Sequence, residues 1–176
     1  MARGALVHLD HLYRVALHLA KDPHKAEDLA QETFVRALAS SDRFDPETNM
    51  KAWLTKILYN LFLDHYRHTK RWASLDSAND QSDPWSELPS ENPGPEACFL
   101  TEELKAQINY GLAKIPEEFR APVILVDMGD FSYEEAAAIL SCPVGTIRSR
   151  LSRGRRLLRR WLSSYVGAGK TEGKKT

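Results

Sequence analysis

Residues 132–162 read SYEEAAAILSCPVGTIRSRLSRGRRLLRRWL, and the reading of the whole chain follows from them. A serine followed by Glu134, Glu135 and three alanines suits a helix start, because a side-chain oxygen and negative charge satisfy the unpaired amides there. A helix is therefore predicted over Ser132 to Leu140. Ser141, Cys142 and Pro143 interrupt it, and a proline fits the first turn of a second helix, where its missing N–H is no loss. In that second helix Ile147, Leu151, Gly154, Leu158, Trp161 and Leu162 fall on one stripe. Arg148, Ser149, Ser152, Arg153, Arg156 and Arg160 share the opposite face. Two helices joined by a short turn, the second basic and polar outward, make the pattern of a helix-turn-helix whose second helix enters a DNA major groove. Arginine can take guanine bidentately, and serine bonds a base edge or a phosphate. The competing reading is an arginine-rich solvated face on an ordinary amphipathic helix; the turn and the interleaved serines favour DNA.

The 176 residues around this motif are 43% hydrophobic and 27% charged, enough apolar material to bury a core as one domain or two small ones. No apolar run approaches the length of a membrane span and no signal peptide precedes the first polar helix, so the expected location is the cytoplasm, without membrane insertion. Cys98 and Cys142 have neither paired spacing nor a nearby ligand pattern, which leaves them as structural thiols. His8 and His11, like His65 and His68, sit three apart but lack a third ligand at usable spacing, so no metal and no cofactor is expected.

Net charge is zero, yet it is unevenly spread. Residues 143–176 carry a balance of plus nine, whereas residues 76–103 hold eight acids and no base.

Upstream, Ala5 to Lys21 is a predicted helix with Leu6, Leu9, Leu12, Tyr13, Ala16 and Leu19 inward. Asp22 and Pro23 break the pattern. It resumes over His24 to Ser40, with Ala26, Leu29, Ala30, Thr33, Ala37 and Leu38 inward and Asp28, Gln31, Glu32 and Val35 on another face. That outer ridge fits plain solvation and fits docking to a basic partner; spacing does not decide between them. Arg43 to Met50 is a loop turned by Asp45 and Pro46, and Asn49 is placed to cap the helix that follows.

Met50 to about Arg71 forms a long predicted helix with Trp53, Leu54, Ile57, Leu58, Leu61 and Phe62 inward. Lys51, Lys56, Asn60, Tyr66, Arg67, Lys70, Arg71 and Trp72 lie on its other side and end. Cations interleaved with rings suit single-stranded nucleic acid, since cations hold phosphates and rings stack on unpaired bases. Rings in the core with cations at the surface fit the same pattern equally. From Ala73 to about Gly94, Ser, Asp, Asn, Glu and Pro dominate, the composition of a linker. Helices return over Glu96 to Ile115, with Phe99, Leu100, Leu104, Ile108, Leu112 and Ile115 inward, and over Glu117 to Val126. The terminal GAGKTEGKKT is expected to be disordered. The fold class is thus all-α: two small helical domains joined by an acidic flexible linker, the C-terminal one a helix-turn-helix.

Four segments in order, AEDLAQETFVRAL, FDPETNMKAWLTKILYN, IPEEFRAPVILVDMGDFSYEEAAAIL and PVGTIRSRLSRGRRLLR, with an acidic linker between the second and third, carry a resemblance. From Leu9 to Leu162 the chain resembles an extracytoplasmic function sigma factor, the compact branch of the bacterial sigma-70 family. The resemblance implies a region 2 domain over residues 1–72, a linker over 73–95, a region 4 domain over 96–165 and a tail over 166–176. It implies Asp28, Gln31 and Glu32 as the ridge that docks on core RNA polymerase. It implies Phe44 and Asn60 in a pocket for a base flipped from the minus-10 element, with Asn49, Met50, Lys51 and Lys56 close to the strand. Such a pocket needs a stacking surface and polar groups that replace the lost pairing. At the minus-35 duplex it implies Arg148, Ser149, Ser152 and Arg153 facing the bases, with Arg150, Arg155 and Arg156 available for phosphates. The implied partners are bacterial core RNA polymerase, promoter DNA and an anti-sigma factor, with no small-molecule substrate and no catalysis. A stand-alone helix-turn-helix regulator would explain the motif but neither the ridge nor the aromatic helix. A nucleic-acid enzyme would need clustered acids, a metal site or an activated nucleophile, and no spacing supplies one.

Overall fold

The computed structural model describes the backbone of residues 2–76 and 96–169 and the side chains of residues 4–67 and 103–163. Every regular element among them is helical. An N-terminal lobe contains α1 (Ala2–Leu6), α2 (Leu9–Ala20), α3 (Pro23–Ala39), a tight turn at Ser41–Arg43 and α4 (Met50–Asp76). A C-terminal lobe contains α5 (Glu96–Lys114), α6 (Glu117–Val123), a wide π-turn at Ile124–Met128, α7 (Tyr133–Leu140) and α8 (Val144–Gly169). None of the described helices is long and apolar enough to cross a membrane.

Local chemistry sets most boundaries. Asp22 caps α3, its carboxylate accepting the N–H groups of His24 at 2.9 Å and Lys25 at 3.2 Å, with Pro23 in the first turn. Asn49 caps α4 through Oδ1, which accepts the Ala52 N–H. Ser132 and Glu135 form a reciprocal capping box at the start of α7. Ser141 takes the left-handed conformation at φ 51°, ending α7. Pro143 stands just before α8 rather than within it, its carbonyl accepting from Thr146 and Ile147.

The single helix expected over Ala5 to Lys21 is two. The chain turns at Val7 and His8, which folds α1 back onto α4 so that Ala5 is buried and Gly4 lies against Met50. The turn leaves Leu6 and Leu9 in solvent at 59% and 42% exposure, against their expected inward placement. Leu38 is also outside, beside Val35 on the outer ridge of α3, and Leu104 is exposed. Apolar spacing shows which residues share a stripe, whereas a neighbour decides whether the stripe is covered. The helix expected over Glu117 to Val126 narrows to α6 and ends in the π-turn. At the far ends, α4 continues to Asp76 and α8 to Gly169. Residues 77–95, most of the expected linker, and 170–176 lie outside the described residues, as do the side chains of Phe99 and Leu100.

One apolar core runs through both lobes. Leu12, Leu19, Leu29, Leu54, Leu58 and Leu61 from the first join Ala121, Ile124, Leu125, Phe131, Ile139 and Ile147 from the second. Each large aliphatic side chain buried this way contributes about 1.5–3 kcal/mol. A smaller cluster of Leu112, Ile115, Val123 and Leu151 seats α8 on α5 and α6. At Gly154 the approach is so close that a Cβ would lie 2.5 Å from the Phe119 carbonyl oxygen.

Candidate nucleic-acid interface

Helical register divides α8 into two sides. Ile147, Leu151 and Gly154 point into the core, while Arg148, Ser149, Ser152, Arg153 and Arg156 are exposed together on the opposite side. The Arg148 and Arg153 guanidiniums each lie 5.9 Å from a ring centroid, those of Tyr133 and Phe119. Such placement over a ring restrains a long side chain while leaving its N–H edge for a ligand. Ser149 donates to the Thr146 carbonyl at 3.0 Å. Arg150 sits on the flank, half-buried and turned toward the other lobe, where its charge acts on the Tyr59 hydroxyl. Arg155, available for phosphates on the resemblance, is held instead by Asp127 at the end of the π-turn. Two N–H donors meet the two carboxylate oxygens, Nε at 2.9 Å and Nη2 at 2.5 Å. That fork ties the outer helix to the turn beneath it.

The α4 helix is likewise two-sided. Trp53, Lys56 and Asn60 recur at three, four and seven residues and share one side; Lys56 and Asn60 are exposed. Trp53 is half-buried rather than fully in the core, and Phe44 from the preceding loop packs on it at 5.0 Å between centroids. The loop is held by Asp45, whose carboxylate accepts the Glu47 N–H and whose carbonyl accepts the Thr48 N–H. An exposed amide thus shares a helix face with a paired aromatic surface and a lysine. Met50 is half-buried against α1.

Asn49 and Lys51 face the other way, into the C-terminal lobe. Asn49 Nδ2 donates to Glu135 Oε1 at 2.5 Å. The Lys51 ammonium donates to the Gly129 carbonyl at 2.6 Å and lies 4.7 Å from the centre of the Phe131 ring. Farther along the same side, Tyr59 donates to Glu117 at 2.6 Å. Burial first, then that bond, drives the phenol's pKa well above its usual range. Lys21 donates to the Ala113 carbonyl, and buried Arg120 to that of Leu19. His11 meets Phe131 edge-on at 5.4 Å. Its pKa is lowered to about 4, mainly by burial and then by the nearby Lys51 and Arg14 charges. The serine and glutamates that start α7 were legible in the sequence; that Glu135 also holds Asn49, 86 residues away, was not.

On α3, Asp28, Gln31 and Val35 are exposed and Glu32 is half-buried. Gln31 leans on Glu27, and Glu32 pairs with Arg36 at 2.8 Å and reaches His65 at 3.5 Å. With Val35 at 65% and Leu38 at 52% exposure, the ridge is acidic with an apolar shoulder. No group of three His, Cys, Asp or Glu side chains suited to a metal occurs among the described residues.

Two family matches span this arrangement, Sigma-70 region 2 over residues 6–72 and Sigma-70 region 4 over residues 106–158. The ECF RNA polymerase sigma factor EcfG of Rhodopseudomonas palustris is 41% identical over 140 residues, which cover 80% of this chain and 72% of EcfG. The chain belongs to the ECF sigma factor family. SigW of Bacillus subtilis is 31% identical over 159 residues, 89% of this chain and 85% of SigW. SigE of Mycolicibacterium smegmatis is 40% identical over 158 residues, 90% of this chain, which spans only 60% of SigE's length. In three dimensions the chain is similar to the sigma factor RpoE of Bartonella quintana, solved in complex with the anti-sigma factor NepR, with a TM-score of 0.75 and 33% identity. That match covers 92% of this chain and 95% of RpoE. ECF sigma factors are transcription regulators, and both family regions are present here in the expected order.

Proposed function

We propose that this protein is an alternative sigma factor that binds bacterial core RNA polymerase and directs initiation at particular promoters without catalysing a reaction itself. Residues 1–72 form the polymerase-binding and minus-10 domain, 73–95 the linker, 96–165 the minus-35 domain and 166–176 a tail. Asp28, Gln31 and Glu32 dock on the polymerase, the exposed Asp28 and half-buried Glu32 meeting a basic surface and Val35 adding apolar contact. Arg148, Ser149, Ser152 and Arg153 read the minus-35 duplex, and Arg150 and Arg156 supply phosphate contacts. Phe44 and Asn60 hold an extruded minus-10 base, with Asn49, Met50, Lys51 and Lys56 along the strand. Extrusion costs a few kilocalories per mole per base, which pocket contacts and phosphate neutralisation offset.

The observation that carries this reading is the presence on one chain of two chemically different exposed faces. The α8 face is arginine and serine, suited to a groove; the α4 face is amide, lysine and a tilted pair of half-buried rings, suited to an unpaired strand. A regulator that only binds duplex has no use for the second. The protein works in the cytoplasm, where polymerase and promoter are, and an anti-sigma factor holds it inactive, as the NepR complex of the similar RpoE suggests. The test is reconstitution: core polymerase, this protein and a library of random promoters, with the transcripts sequenced. Starts sharing two spaced motifs are expected, and no protein-dependent start would overturn the reading.

A further inference from the structure

We propose that Phe119 on α6 and Tyr133 on α7 are positioning residues for duplex readout, so that the base preference of α8 is set partly by two rings outside it. The inference rests on the reading of α8 given above and adds which residues aim its arginines. Arg148 and Arg153 are five positions apart, about 140° around the helix, and so stand at the two edges of the exposed face with Ser149, Ser152 and Arg156 between them. Each edge has its own ring. The Arg148 guanidinium lies 5.9 Å from the centre of Tyr133, and that of Arg153 lies 5.9 Å from the centre of Phe119. Among the described residues no hydrogen bond or ion pair holds either guanidinium, in contrast to Arg155 in its fork with Asp127. The ring is what restrains each reader.

Both rings are themselves fixed from beneath. Tyr133 directly follows the Ser132 cap and packs against both apolar clusters, so its place is set where α7 begins. Phe119 packs on the smaller cluster, and its carbonyl oxygen would lie 2.5 Å from a Cβ at position 154. The missing side chain of Gly154 therefore lets α6 approach α8 closely enough for the Phe119 ring to reach Arg153, the residue just before that glycine. An arginine already held over a ring gives up less side-chain freedom when it takes a guanine, and it offers its N–H edge in one direction rather than several. Each ring sharpens discrimination between bases through the arginine it carries. Because the rings belong to different helices, the two edges of the face are aimed independently.

The test uses the full chain assembled on core polymerase and a pool of promoters carrying every single-base change in the minus-35 element, with relative binding read by sequencing the retained DNA. Arg148→Ala and Arg153→Ala first define the positions that each arginine discriminates. Tyr133→Leu should flatten the preference about two- to fivefold at the Arg148 positions alone, and Phe119→Leu by the same factor at the Arg153 positions alone, the range for one exposed cation over a ring. Tyr133→Phe and Phe119→Tyr keep a ring and should retain the original preference. Adding Phe119→Leu to Arg153→Ala should flatten nothing further, since the ring acts only through that arginine. Circular dichroism checks that the leucine variants are folded; if either is not, Tyr133→Met or Phe119→Met takes its place. A loss spread evenly over all positions, or one that the aromatic replacements share, would make the rings packing or phosphate-side residues and overturn the inference. Ring variants that change nothing while the arginine variants flatten their own positions would overturn it with the α8 reading intact. Arginine variants that flatten no position would overturn both.

Discussion

Asn49 and Glu135 each start a helix, and each uses one oxygen for that task while the remaining polar atom of each is spent on the other. Asn49 Oδ1 receives Ala52 N–H as Nδ2 donates to Glu135; Glu135 Oε2 receives Ser132 N–H as Oε1 accepts from Asn49. The start of the helix assigned to the unpaired strand is thereby coupled to the start of the helix-turn-helix. Local capping, ordinarily a matter of one helix's stability, here joins two functional units.

Replacing Arg148 or Arg153 with alanine should reduce transcription from a cognate promoter by about fivefold to a hundredfold, since a lost bidentate base contact costs about 1–3 kcal/mol. The loss should shrink on templates whose minus-35 element is already mutated. Equal losses on both templates would remove α8 as the reader.

Asp127→Ala serves as the contrast. It releases Arg155 from its fork without touching the exposed arginine and serine face. Chemical denaturation should show about 0–1 kcal/mol of lost stability, the worth of a surface pair, while the preference among minus-35 sequences stays as in the unmodified protein.

For Asn60→Ala, exposed on α4, the fold is expected to stand and duplex binding to persist. Promoter opening, followed by a fluorescent base analogue in the minus-10 element, should slow. Opening at the unmodified rate would dismiss Asn60 from the pocket.

Gly154→Ala places a methyl group against the Phe119 backbone and Val123 where α8 crosses α6. Overpacking of this kind costs about 1–3 kcal/mol, measurable as a lower denaturation midpoint. A neutral result would mean the crossing can widen freely.

Acid should part the lobes. His11 lies at their boundary among Phe131, Lys51, Arg14, His8 and Asp130, and its pKa is held at about 4 against an ordinary 6.5. Because the closed form keeps the ring neutral, its contribution to closure is complete above 6.5 and is lost as pH falls toward 4. Glu135, whose carboxyl is held below its ordinary value chiefly by the Ser132 N–H of its own helix and further by Asn49 and Lys51 across the boundary, acts in the same direction at lower pH through those last two contacts. Interlobe distance followed across this range should lengthen on acidification, and His11→Gln should flatten the upper part of the curve.

Local chemistry made much of this fold readable beforehand. Asn49 and Ser132 with the glutamates after it each announce a helix start, since a cap depends on residues three or fewer positions away, whereas Asp22 and Pro23, read as a break, prove to be the cap and first turn of α3. The stripe Ile147, Leu151, Gly154 likewise reports its own burial. What depended on distant partners was hidden. Leu6, Leu9 and Leu38 sit on apolar stripes but find no cover, and the turn at Val7 and His8 has no proline or glycine to mark it. Arg155 looks like its neighbours until Asp127 is seen beside it, and Lys51 looks like a free cation until Gly129 and Phe131 arrive. The two-lobe contact is hard to read from sequence, because each of its hydrogen bonds joins residues far apart in the chain.

The C-terminal lobe and the start of α4 that it covers belong to one polypeptide, so neither can be diluted away from the other. Raising or lowering the amount of protein leaves the fraction closed unchanged, whereas any outside molecule contesting Asn49 must do so at its own concentration against a tethered rival.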